Sequence, residues 1–284
     1  MYRSILVHLD HSKHCAARID VACALAQSFD AHLIGLYAID SREGFADAAG
    51  VDVLLERMGL VPPQFARYAA LFEEHAGRAG IGKRELRQAE GDAAKNVALQ
   101  TRYCDLAVIG QGDPDESATG VTGVFAQHVA LAAGAPVLVL PYYTDTFATI
   151  GQRALIAWDA GREAARAARD ALPFLVRAQQ TYALSVRAKS GARGELAPSA
   201  DLAKYLAHHG VRVEASETFG GDIGVGDALL ARMHSSDCVR LVTPTPVRVR
   251  RLLGEYLHLT RQIDALGDPR QIGPAGGIWN WRRS

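Results

Sequence analysis

The chain has 284 residues, which is long for one α/β domain and sufficient for two of ordinary size. Hydrophobic residues make up 49% of it, and 31 basic residues balance 31 acidic ones. This balance gives no electrostatic reason to expect nucleic acid or an anionic membrane as a partner. Because no apolar run approaches the roughly 20 residues of a membrane span and the first residues lack a signal-peptide layout, we expect a cytoplasmic protein.

The four cysteines form no metal-binding or redox pattern, because none belongs to a C-x-x-C pair and no histidine cluster accompanies them. They are interpreted as small hydrophobic residues in a reducing compartment. The sequence also lacks the G-x-S-x-G, G-x-x-x-x-G-K-[ST] and H-E-x-x-H motifs. We therefore expect no catalytic residue and no metal site; a protein without enzymatic activity is favoured, although an enzyme is not excluded.

Short apolar runs alternate with helix-forming segments through the first half of the chain. The strand candidates are 4–10, 32–39, 83–89, 105–110 and 136–140. The helix candidates are 15–29, 64–79, 92–103 and 123–133. Strands without polar alternation are covered on both faces, and their alternation with helices predicts right-handed crossovers and a parallel sheet.

The second half repeats the order of these signals. Each half opens with an apolar run that ends in an aspartate, Asp10 or Asp159, and a Gly-Asp-Ala triplet recurs at 91–93 and 226–228. This order predicts a tandem repeat. The predicted strands are 153–158, 180–186, 211–216 and 238–243, and the predicted helices are 161–177, 199–209 and 222–234. The expected domains are 1–145 and 150–265, followed by a disordered tail at 266–284.

The run from 105 to 140 contains a strand that ends at Gly110, a helix-opening glycine thirteen residues later, and Ala-Pro-Val-Leu-Val at 135–139. It resembles the C-terminal signature of the universal stress protein family. The openings of the two halves, at 4–10 and 158–173, also resemble the first strand and helix of that family. The resemblance implies two tandem doubly wound parallel-sheet α/β domains, Rossmann-like and flavodoxin-like, with strand order 3-2-1-4-5 and a role in stress response.

Nucleotide-binding members of that family hold phosphates with a glycine loop and a serine at a helix start, where backbone N–H groups are free. An aspartate after the first strand and the backbone at the end of the second strand hold the nucleoside. Matched position by position, the resemblance assigns the acidic role to Asp10, the backbone role to Ala38, the first glycine to Gly110 and the helix glycine to Gly123.

Two positions of the first half depart from the family pattern. Asp113 stands where the second loop glycine belongs, and Val124 stands where the serine belongs; Gly112, one position early, is a partial replacement for the lost glycine. Asp115 and Glu116 add negative charge, and each close charge pair with a phosphate costs on the order of 1 kcal/mol even in water. The expected cofactor is therefore none or ATP.

The second half departs further from the pattern. Pro244 and Pro246 remove N–H donors where a phosphate loop needs them, and no last strand follows. The arginines at 248, 250 and 251 are interpreted as a solvated basic face. We expect a degenerate end to the second domain. One hypothesis is an altered reading frame after about residue 243, which gene sequencing tests.

Several polar residues have a structural alternative to a ligand role. His8 lies within the first strand and is interpreted as a core histidine, whereas His11 and His14 lie near the expected site. Helix capping is the main alternative for Asp10 and the favoured role for Asp92.

The sequence favours a stress-associated binding or regulatory protein with a degenerate nucleotide pocket in its first domain. The alternatives are an ATP-binding switch with slow or no hydrolysis, and a structural interaction module that uses an exposed sheet edge at 137–140. A small-molecule or nucleotide ligand, a protein partner and a homodimer are the candidate partners; nucleic acid and membrane are not expected.

Overall fold

A computed structural model describes residues 1–39, 63–113, 124–142, 152–187, 199–219, 229 and 239–241. Gly123, the predicted helix at 222–234 apart from Leu229, the segment around Pro244 and Pro246, and the predicted tail lie outside these residues. Within the described residues, every helix is too short or too polar to span a lipid bilayer.

Five parallel strands form one sheet in the first half. They are β1 (Ser4–Leu9), β2 (His32–Ala38), β3 (Arg84–Ala89), β4 (Leu106–Gly110) and β5 (Val137–Leu140). Their spatial order is β3-β2-β1-β4-β5, and every neighbouring pair is parallel. The predicted strands and the strand order 3-2-1-4-5 are confirmed for this half.

Helices cover both faces of this sheet. They are α1 (Cys15–Phe29), α2 (Pro63–Arg78), α3 (Ala93–Gln100) and α4 (Phe125–Ala132), with a short 3-10 helix at Thr101–Tyr103. On one face, Phe29 of α1 and Phe72 of α2 pack against the sheet. On the other face, Val97 of α3 and Phe125 of α4 do so. Because successive strand residues point to opposite faces, side chains of the same strand pack in the apolar cores on both faces of the sheet.

Local details agree with several predictions from the sequence. Asp92 caps α3, because its carboxylate accepts the backbone N–H of Lys95 at 2.9 Å. Cys15 and Cys23 are buried free thiols, and Cys104 is half-buried.

A second parallel sheet lies in the second half. Its strands are β6 (Arg153–Ala157), β7 (Gln180–Arg187), β8 (Val213–Phe219) and β9 (Val239–Leu241), in the order β8-β7-β6-β9. The helices described here are α5 (Arg162–Asp170), α6 (Leu172–Leu175) and α7 (Ser199–His208). The predicted continuous helix at 161–177 is wrong, since the structure has two helices there. Pro173 lacks an N–H and its ring clashes with a carbonyl one turn earlier, which ends α5.

The two halves touch through an aromatic contact. The ring of Phe174 lies 5.3 Å from that of Tyr2 and 5.6 Å from that of Phe29. The guanidinium of Arg177 stacks over the Phe29 ring at 4.0 Å, and the Tyr2 hydroxyl donates to the carbonyl of Asp170 at 2.7 Å. Phe174 thereby extends the apolar core of the first half.

We expect Gly35→Ala to destabilise the first half by roughly 1–3 kcal/mol, because overpacking a filled core forces side chains and backbone to shift. A Cβ at Gly35 would lie 2.9 Å from Leu86 Cδ1 and 3.0 Å from Phe72 Cδ2. Urea unfolding measures the change. Gly77→Ala is the matched control: it lies in α2 with open space around it, and should stabilise by roughly 0.5–1 kcal/mol. Equal effects of both variants would contradict the expectation.

Candidate functional site

The strand order locates one crevice in the first half. From β1 the chain builds the sheet in one direction through β2 and β3 and in the other through β4 and β5. Ligands of doubly wound sheets bind beyond the carboxyl ends of the strands at such a switch point. Asp10 follows β1, Ala38 ends β2 and Gly110 ends β4, so these three predicted residues share the edge of the sheet where the crevice lies.

The carboxylate of Asp10 is buried and surrounded by donors from its own chain. Its Oδ1 accepts the Ser12 backbone N–H at 3.0 Å and the Ser12 hydroxyl at 2.7 Å. The same oxygen lies 2.6 Å from Nη2 of Arg18, and the two side chains of this ion pair are each only 3% exposed. Oδ2 lies 3.7 Å from Nδ1 of His8. Helix α1 begins after His14 without a side-chain cap, so the capping alternative for Asp10 is wrong.

Two opposing influences act on the pKa of Asp10. Burial works to raise it, but the positive charge of Arg18, the adjacent His8, and hydrogen bonds from Ser12 and Arg18 together lower it below its ordinary value of 3.8. The carboxylate is therefore held in its charged form, which keeps the ion pair intact at neutral pH.

Arg18 is a residue of the crevice that the sequence interpretation missed. It lies in the first turn of α1, and its Nε donates to the carbonyl of His8 at 2.7 Å. A Cβ placed on Gly110 would stand 2.1 Å from Nη1 of Arg18, so the guanidinium packs directly on the glycine backbone. The side chain thus bridges the ends of β1 and β4. The signal in the sequence is a charged residue on the otherwise apolar face of α1.

His8 and Ala38 are joined by a hydrogen bond. The buried imidazole donates from Nε2 to the Ala38 carbonyl at 2.7 Å and stacks on the ring of Phe125 at 4.7 Å. The interpretation of His8 as a core histidine is confirmed. At Ala38, whose backbone the family resemblance assigns to a nucleoside, the carbonyl thus accepts a hydrogen bond from within the protein.

Aromatic rings fill the space beside the ends of β1 and β2. His11 Nε2 lies 2.7 Å from the hydroxyl of Tyr37, and its ring stacks on Tyr68 at 5.0 Å. Phe65 packs edge-on against Tyr37 at 5.6 Å. Burial lowers the pKa of His11, against the opposing effect of the nearby Asp10. These contacts therefore favour a neutral His11 imidazole packed among aromatic rings.

The loop after β4 carries an ion pair at its altered position. Nζ of Lys13 lies 2.8 Å from Oδ2 of Asp113, whose side chain is only 5% exposed. The negative charge of Asp113 is thus compensated by a lysine from the loop after β1. Gly112 directly precedes Asp113. Val124 stands exposed at the start of α4. Because a valine has no hydroxyl, it cannot provide the donor that a serine would provide at this position.

The described part of the chain contains no group of three or more His, Cys, Asp or Glu side chains placed to hold a metal ion.

The doubly wound parallel sheet with its switch-point crevice makes the first half a Rossmann-like α/β domain. Residues 1–141, just under half of the chain, match the model of the universal stress protein family.

Among solved structures, a universal stress protein from Archaeoglobus fulgidus DSM 4304 is 16% identical, with 82% of this chain and 83% of that chain covered at a TM-score of 0.62. A Pseudomonas aeruginosa UCBPP-PA14 protein assigned to the universal stress proteins is 16% identical, with 92% and 98% covered at a TM-score of 0.51. A universal stress protein in complex with cAMP is 24% identical, with 49% and 97% covered and a TM-score of 0.36. No curated protein matches the chain significantly. At these identities the similarity shows the fold.

We expect Asp10→Asn to destabilise the protein by about 3 kcal/mol or more, because it leaves the Arg18 charge buried without its partner. The pKa of Asp10 is lower in the folded protein, so its stabilising effect is complete above 3.8 and is lost as the pH falls through the lower folded-state value. The difference in unfolding free energy between wild type and variant should therefore shrink toward low pH. Urea unfolding between about pH 3 and pH 7 measures it, a range set by the ordinary carboxyl pKa.

Asp30→Asn is the control for this measurement. The Asp30 carboxylate pairs with Lys83 at 2.9 Å, but both side chains are exposed and solvent screens them. The control should change little at any pH. If the two variants lost equal stability, the buried ion pair of Asp10 would contribute no more to the free energy of unfolding than the exposed pair of Asp30.

Proposed function

We propose that the protein is a cytoplasmic, non-enzymatic binding or regulatory protein of the universal stress protein type, with a degenerate nucleotide pocket in its first domain. One observation carries this proposal: at both positions that the family resemblance assigns to a nucleoside, polar groups already bond within the protein. Asp10 holds Arg18 and Ser12, and the Ala38 carbonyl accepts from His8.

The energetic consequence for a nucleotide follows from these bonds. Ribose hydroxyls would have to displace a guanidinium from a buried carboxylate, and a charged group stripped of its partner in a buried site is strongly disfavoured. At the phosphate side, Val124 offers no hydroxyl donor, and the nearby cation of Lys13 is engaged by the Asp113 carboxylate. The crevice is therefore unfavourable both for the nucleoside and for the phosphates of a nucleotide.

The proposal includes two tandem domains, 1–145 and 150–265. The second sheet has the same order as the first four strands of the first sheet, β8-β7-β6-β9 against β3-β2-β1-β4. Asp159 follows β6 and accepts the Gly161 N–H at 2.8 Å, as Asp10 follows β1 and accepts that of Ser12. The similarity to the Archaeoglobus protein extends over 82% of the chain, which also supports a second unit of this fold.

A second candidate function is an ATP-binding switch. The observation that favours it is the Lys13–Asp113 ion pair, which removes the repulsion between a free carboxylate and a phosphate. Gly110 and Gly112 also keep a loop in which backbone N–H groups can approach a ligand closely.

Partners are part of the same proposal. β5 lies at one end of the first sheet, and its residues Val137 to Val139 are only partly buried. A strand at a sheet end offers backbone groups for pairing with another strand. A protein partner or a second copy of this chain would add there without using the crevice.

Calorimetry with ATP, with and without magnesium, separates the two candidate functions. We expect no binding by the wild type at ligand concentrations up to about 1 mM, which corresponds to less than about 4 kcal/mol of binding free energy. Micromolar binding, tightened by Asp113→Gly, would instead support the switch. Lys83→Gly is a control, since Lys83 pairs with Asp30 at the opposite edge of the sheet. Mass spectrometry of small molecules that co-purify with the intact chain then identifies any other ligand.

A further inference from the structure

We propose that Arg18 is the specificity-determining residue of the crevice: its guanidinium occupies the place of a ligand's hydroxyl groups at Asp10 and excludes nucleosides. This inference rests on the proposed function, because it names the side chain that closes the nucleotide pocket. It goes beyond that function by predicting that one substitution reopens the pocket.

The position of Arg18 within its helix explains how it reaches the crevice. Helix α1 follows β1 directly, so its first turn lies at the carboxyl edge of the sheet. Side chains on a helix lean toward its N-terminus, which here directs Arg18 over the ends of the strands.

The guanidinium is fixed by contacts on three sides. Nε donates to the carbonyl of His8 at 2.7 Å, Nη2 lies 2.6 Å from Asp10 Oδ1, and Nη1 lies against Gly110. These contacts span β1 and β4, the two strands between which the order of the sheet reverses. A ligand at the switch point of this sheet meets Arg18 where it would otherwise meet the carboxylate.

The burial of Arg18 distinguishes an arginine that blocks the crevice from one that binds an anion. An arginine that recruits a phosphate presents its planar fork to solvent or to the ligand. The Arg18 side chain is only 3% exposed, and its fork faces a carboxylate, a carbonyl and a glycine of its own chain. Gly110 completes this arrangement, because any side chain there would collide with Nη1.

The experiment measures adenosine binding by calorimetry for the wild type, Arg18→Ala, and Arg18→Ala combined with Asp10→Asn. We expect no measurable binding by the wild type at adenosine concentrations up to about 1 mM, and binding by Arg18→Ala with a Kd about tenfold or more below that limit. The double variant should lose the gain, because the freed carboxylate is what accepts the ribose hydroxyls. Arg84→Ala is the matched control: it removes an ion pair with Glu73 at 2.7 Å, away from the crevice, and should gain nothing.

A second readout uses chemical rescue. Ethylguanidinium at millimolar concentration fits the space that Arg18→Ala leaves, so it should raise the thermal transition of this variant and compete with adenosine. The same additive should leave Arg84→Ala unchanged. A merely structural role for Arg18 predicts the rise in stability without any adenosine binding to compete against.

The role of Arg18 is overturned if a folded Arg18→Ala protein gains no affinity for adenosine or if the gain persists in the double variant. It is also overturned if the wild type binds adenosine with Arg18 in place. Circular dichroism and a cooperative thermal transition establish folding. If Arg18→Ala does not fold, Arg18→Met, which retains most of the aliphatic length, replaces it. Failure of both variants to fold assigns Arg18 to stability alone and rejects the inference.

ATP binding by the wild type rejects the proposed function as well, whereas an absent gain in the variants rejects only the inference.

Discussion

The buried ion pair between Asp10 and Arg18 is the interaction around which the first half is organised. Two charges withdrawn from water are tolerated only when each satisfies the other, so the pair fixes the end of β1, the first turn of α1 and the end of β4 relative to one another. His8 extends this network to β2 through the Ala38 carbonyl. The carboxyl edge of the sheet is therefore held by polar bonds, whereas the faces of the sheet are held by apolar packing.

This arrangement separates what the fold requires from what a ligand requires. A doubly wound sheet creates a crevice wherever its strand order reverses, regardless of the side chains that line it. In this chain the crevice is lined by groups that bond to one another. Residues 1–141 match the model of the universal stress protein family, and the polar groups at the carboxyl edge of their sheet bond to one another.

The sequence predicted the elements of the first half well because their signals are local. β2, β4 and β5 are nearly continuous apolar runs and β1 is interrupted only by His8, whereas the edge strand β3 is mostly polar and was placed by its position between two helix-forming segments. The break between α5 and α6 was missed, although Pro173 marked it, because the flanking residues are strong helix formers.

Asp10, Ala38 and Gly110 were placed in the crevice through the resemblance, and the structure brings them to one edge of the sheet. The role of Arg18 was not predictable in the same way. An arginine on an apolar helix face is visible in the sequence, but its contacts with Asp10, His8 and Gly110 depend on how α1 packs over the ends of β1 and β4, which only the folded chain determines. The pairing of Lys13 with Asp113 was missed for the same reason, since the two residues are 100 positions apart.

The aromatic contact between the halves has a consequence for any attempt to study the first half alone. Tyr2 and Phe29 are almost fully buried, and Phe174 and Arg177 from the second half supply part of their cover. A fragment that lacked the second half would expose these two rings to water as an apolar patch. Such a fragment would be prone to self-association through a surface that the 284-residue chain keeps covered.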